Sequence, residues 1–184
     1  PDDVLQVHKE RIQDFEKSKP VQDTILEDTI LEVENFTSLE LPQRRMILHP
    51  WISEQSISLI SGWRGVGKSW LALSLLDSIT KGLPFGPWET ITPINCLYLD
   101  GEMVGQDVQG RMMSLDNRTE RKARLFIYSD AYSSLMRVPR ANLTNDKWRA
   151  LMKEILIKKD VRLWVADNIA SLTPGVDEKD KEAW

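Results

Sequence analysis

The chain has 184 residues, 41% hydrophobic and 28% charged, the balance of a water-soluble globular protein with room for one sizeable core. A formal net charge of −4 argues against a protein that coats nucleic acid indiscriminately, and no apolar run approaches the roughly 20 residues that span a bilayer. Cys96 is the single cysteine, which excludes a disulfide framework and a thiolate metal cluster; with no signal-like N-terminus, a reducing, cytoplasmic setting is expected.

Residues 1–19 read as a polar helix, with Leu5, Ile12 and Phe15 on one side. So narrow a stripe suits docking on a neighbouring subunit. A short duplication follows, Thr24-Ile25-Leu26-Glu27 and Thr29-Ile30-Leu31-Glu32. Two copies are too few for a solenoid, so a linker or edge strand is expected. From Pro1 to His49 there are 11 acidic and 6 basic residues. This acidic arm, residues 1–45, precedes a core at 46–184. Trp51 and Ile52 stand near the start of that core, where the aromatic ring either lines a base pocket or packs on a sheet edge.

Ile57 to Ser61 is a short apolar run of the kind that forms a buried strand, and Leu71 to Ile79 has the apolar content of a helix packed on a sheet. Between them, Gly62-Trp63-Arg64-Gly65-Val66-Gly67-Lys68-Ser69 fits the phosphate-binding pattern G-x-x-x-x-G-K-[ST] without a mismatch. A triphosphate needs many donors at once. Glycines at 62, 65 and 67 let successive backbone N–H groups approach it, and a helix starting near Gly67 adds the positive end of its dipole. The candidate nucleotide-binding residues are therefore Gly62, Trp63, Arg64, Gly65, Val66, Gly67, Lys68, Ser69 and Trp70. Lys68 would reach the β and γ oxygens of ATP and Ser69 would ligate Mg2+. A plain glycine turn with a solvated lysine is the competing reading.

A breaker-rich loop, Gly82 to Trp88, leads to a second strand at Ile94–Leu99 that ends in Asp100-Gly101-Glu102. Gln106 to Leu115 suits a short helix carrying Arg111, and Arg124 to Ser129 a third strand. Asn142 to Lys159 reads as a longer helix, capped by Thr144 or Asn145, with Trp148, Leu151, Met152, Ile155 and Leu156 at spacings of three and four. Val161 to Ala166 is a fourth strand, closing on Asp167-Asn168. Strands alternating with helices predict an α/β fold, a doubly wound parallel sheet. From Met103 to Arg162 there are 7 acidic and 13 basic residues, either solvated helix faces or a track for nucleic acid.

An ATPase also needs a carboxylate near its metal and a group that faces the attacking water. Asp167 ends the apolar strand RLWVAD and is the candidate metal carboxylate. Glu102, at the tip of another strand, is the candidate to polarise the water. A turn cap and a solvated loop acid are the plainer alternatives.

With these pieces the chain resembles RecA-like ATPases of the RepA type, a group of hexameric replicative helicases and related ATPases of mobile elements. The P-loop, Tyr98 to Glu102, the Arg111 helix and Val165 to Gly175 carry the resemblance, which runs from about Met46 to Trp184. It implies that Glu102 is the catalytic base, that Lys68 and Ser69 serve the phosphates and metal, and that Asp167 is the Walker B aspartate. It further implies ATP hydrolysis between subunits of a ring, with DNA in the channel. In such proteins a strand with a sensor residue lies between the P-loop strand and the Walker B strand. That strand is absent from this sequence, so a fragment with unpaired backbone at that place is expected. A regulatory ATPase using nucleotide as a switch for partner binding is the alternative, favoured by the acidic arm. A small-molecule kinase is a third reading, for which Arg137 and Arg140 in a loop are the only hint.

Overall fold

A computed structural model describes residues 29–115 and 118–175, so the expected helix at 1–19 and the first copy of the duplication lie outside the described residues. The chain divides into two compact units, Pro1–Gln43 and Arg44–Trp184. In the first, the second copy of the duplication forms no strand, and a short helix, α1 (Val33–Thr37), follows it with no buried residue.

The second unit begins with a hairpin that the sequence reading did not foresee. Strands β1 (Met46–His49) and β2 (Ile52–Ser53) pair antiparallel, and β3 (Glu89–Thr90) pairs with the other edge of β1. Ile47, Leu48 and Ile52 are buried, and Trp51 stacks at 4.8 Å from Trp88. Trp51 is thus a packing residue of this small sheet.

The larger sheet is parallel, with β4 (Asn95–Asp100) between β5 (Leu125–Ser129) and β6 (Val161–Asp167). Its alternation explains the layers. Cys96 and Tyr98 of β4 point into a core shared with Ala72, Leu73, Leu76 and Ile79 of helix α2 (Lys68–Lys81). Leu97 and Leu99 point the other way, into a core with Ala141, Met152 and Leu172. Helices therefore cover both faces, as in the P-loop NTPase core of RecA-like type. Burial pushes the Cys96 thiol up to about 12, in keeping with a small apolar core role.

Helices α3 (Gly105–Ser114) and α5 (Asp146–Lys158) form close to their expected places, and Asn145 caps α5 by accepting from the Trp148 N–H. Along α5 only Trp148, Met152 and Leu156 face the core, whereas Leu151 and Ile155 are exposed. Two short helices escaped the sequence reading: α4 (Asp130–Leu135), directly after β5, and α6 (Ile169–Leu172), directly after β6. Six and four residues are too few to display a helical period. Buried Asp77 of α2 pairs with Lys81 at 2.7 Å and with Arg121, fastening the C-terminal half of α2 to the segment that enters β5.

One expectation is corrected. Ile57 to Ser61 forms no strand, and Ile57 is 100% and Leu59 76% exposed. The physical reason lies in pairing: β6 is the last strand of the parallel sheet among the described residues, and nothing described lies alongside this segment to take its backbone bonds. The run begins just after Glu54, which is held to Arg162 at the start of β6 by a 2.7 Å ion pair.

Candidate nucleotide site

The glycine-rich loop delivers what its pattern asks. Gly65 and Gly67 have φ of 83° and 96°, the left-handed region that side-chain-bearing residues rarely adopt, and a Cβ on either would meet open space. Both glycines are therefore demanded by the turn of the chain, not by crowding. Gly67 is the N-cap of α2 and supplies no side-chain cap, so the amides of the first turn are left for an external acceptor. Lys68 Nζ donates to the carbonyls of Gly62 and Trp63 at 2.7 and 2.9 Å, which holds the ammonium inside the curve of the loop. The side chains of Trp63, Arg64 and Val66 are exposed. Trp70, one residue past Ser69, lies under the Arg111 guanidinium at 5.4 Å.

Tyr98 joins this loop to the sheet. Its buried hydroxyl donates to Asp167 Oδ2 at 2.5 Å, and the Ser69 side chain bonds the same Tyr98 hydroxyl. Burial raises the phenol well above its ordinary value, the Asp167 carboxylate raises it further, and Ser69 pulls it the other way. The phenol stays protonated. Through it the P-loop serine and the aspartate that ends β6 meet at one point, although they stand 98 positions apart in sequence. Sequence reasoning quoted Tyr98 without giving it a role; its signal was a hydroxyl-bearing aromatic in an otherwise apolar strand.

Beyond Tyr98 the tips of β4 and β6 lie side by side, with Asp100 opposite Asp167. Asp100 is fully buried; its Oδ1 accepts from the Met103 N–H at 3.0 Å and, at 3.4 Å, from that of Glu102, while Oδ2 has no partner among the described residues. Burial raises its pKa above the usual carboxylate range, and the two N–H groups offset part of that rise. Asp100 thus shapes the turn that carries Glu102. The Glu102 side chain is exposed and accepts from the Asn168 amide. On the far side, buried Asp130 accepts from Tyr128 Oη, Arg140 Nε and the Ala141 N–H, and Arg140 Nη2 reaches the Gly101 carbonyl at 3.2 Å. Arg140 therefore braces the Glu102 turn.

Ser69 and Asp167 offer an alcohol and a carboxylate oxygen, the hard donors that magnesium prefers. Among the described residues no group of three or more His, Cys, Asp or Glu side chains is placed to hold an ion. Two such oxygens could hold magnesium only together with water and substrate phosphates. No helix among the described residues is long and apolar enough to cross a membrane.

No curated protein and no solved structure matches the chain. A family model described as an AAA domain matches residues 22–184. That match covers most of the chain, and the chain belongs to the AAA domain family of P-loop ATPases.

Proposed function

We propose that this ATPase is the motor core of a DNA-directed machine, a replicative helicase of a plasmid, phage or integrated element that works as a ring. The observation that carries the catalytic half of the reading is the meeting of Ser69 and Asp167 on the Tyr98 hydroxyl, one strand tip away from Glu102. Magnesium, when bound with ATP, would neutralise charge building on the phosphates. The amides of residues 65–69 and Lys68 would bind the triphosphate, Ser69 and Asp167 would face the metal, and Glu102 would accept a proton from the attacking water. The DNA half is supported by the resemblance to RepA-type helicases and by the basic excess after Met103.

A second reading, a nucleotide-driven switch for a protein partner, is favoured by how that basic excess is used. Arg121, Arg140, Arg149 and Arg162 each pair with a carboxylate of the same chain, which leaves fewer cations for DNA phosphates.

ATP turnover with and without single-stranded DNA, at two salt concentrations, separates the two. The motor reading expects turnover stimulated by DNA, a stimulation that fades with salt, and a fall of about 100-fold or more in Lys68→Ala and Glu102→Gln. Turnover indifferent to DNA would move the assignment to the switch.

A further inference from the structure

Glu102 is exposed and flexible by nature, yet the structure gives its carboxylate a fixed neighbour. We propose that Asn168 is a positioning residue that holds Glu102 in one orientation across the tips of β4 and β6. The inference rests on the reading of Glu102 as the catalytic base.

The orientation of the Asn168 amide is set by chemistry that leaves no choice. Asn168 is the N-cap of α6, and its Oδ1 accepts from the Ser171 N–H at 2.9 Å and lies 3.0 Å from Ser171 Oγ. A backbone N–H can only donate, so the atom facing it must be the amide oxygen. The other end, Nδ2–H, is thereby turned outward, and it donates to Glu102 Oε2. An amide whose plane is locked at one end directs its donor at the other.

The two loops are also locked to each other through the backbone. The Gly101 N–H donates to the Asp167 carbonyl at 2.9 Å. A Cβ at Gly101 would lie 2.7 Å from Leu172 Cδ2 and 2.8 Å from Ser171 Oγ, closer than such atoms come. Glycine between Asp100 and Glu102 is what lets the Glu102 turn lie flat on α6. The cap, the amide and the glycine together set both the position of Glu102 and the direction of its carboxylate. One oxygen is taken by Asn168, and the other is left to orient a water. A glutamate with three free side-chain torsions would otherwise present the base in many directions, few of them productive.

The test uses Asn168→Ser and Asn168→Asp, both of which keep an oxygen for the Ser171 N–H and so preserve the cap. Serine removes the donor to Glu102; aspartate replaces it with a like charge. Purified variants are compared with wild type and Glu102→Gln for ATP turnover, KM, binding of a fluorescent ATP analogue and melting temperature. The proposal expects kcat to fall about ten- to a hundredfold in both, further in Asn168→Asp, with KM and analogue binding within about twofold and melting little changed. Wild-type kcat in both variants beside an inactive Glu102→Gln would overturn the positioning role and leave the base in place. An active Glu102→Gln would remove the base and the inference together. A higher KM with a lower melting temperature in Asn168→Ser would mark a structural role and overturn the proposal as well.

Discussion

The two sides of the site are built on opposite plans. On the acid side, Tyr98, Leu99 and Asp100 are fully buried, and the tips of β4 and β6 are tied by hydrogen bonds from Gly101, Asn168 and Tyr98. On the phosphate side, the chain from Ser56 to Gly65 is exposed except at half-buried Ile60, fastened before it by the Glu54–Arg162 ion pair and after it by α2. The acid side is fixed by these contacts; the phosphate side holds its shape through two left-handed glycines and through Lys68 bonded to the Gly62 and Trp63 carbonyls. On the proposed reading, binding energy from the phosphates would be spent on the loop, and Glu102 would need no rearrangement.

The strongest way to break this contrast is to loosen the acid side. In Gly101→Ala the added methyl meets Leu172 and Ser171, and overpacking of this kind costs about 1–3 kcal/mol of unfolding free energy. Chemical denaturation checks it, and turnover should fall with nucleotide affinity little changed, because the methyl displaces Glu102 and not the P-loop. Tyr98→Phe is gentler. It deletes the donor to Asp167 and keeps the buried ring, for a loss of about 1 kcal/mol on the same denaturation curve. Equal losses of turnover and magnesium dependence in this variant would tie the phenol to the Ser69–Asp167 pair.

How much of this was legible in the sequence depended on what kind of contact made each part. Period and punctuation gave β4, β5, β6, α2, α3 and α5, because each turns apolar residues at a regular spacing toward a neighbour or is bounded by turn residues. The glycine-rich loop was readable because its spacing encodes backbone geometry directly. The hairpin at Met46–Ser53 was hidden by its length, with two buried apolar residues on one strand and one on the other. The site was legible by residue type and not by wiring: Ser69, Glu102 and Asp167 could be nominated, whereas the Tyr98 bridge and the Asn168 contact join positions whose meeting only the register of β4 on β6 fixes. Ile57 to Ser61 failed for a related reason. An apolar run states that a strand can form, but a partner must be present for its backbone bonds to close.

That failure gives the smallest and sharpest expected effect. Ile57 is fully exposed, so Ile57→Ser should change unfolding free energy by no more than about 0.5 kcal/mol, the range of ordinary surface substitutions. Leu99→Ala, buried in the middle strand, is the matched control and should cost about 2–5 kcal/mol. The pair measures how much of the sheet is closed in solution. If Ile57→Ser cost as much as a core truncation, its side chain would have to be covered by a segment from elsewhere. The phosphate side would then be as organised as the acid side, and the difference between them would belong to the isolated chain, not to the working ATPase.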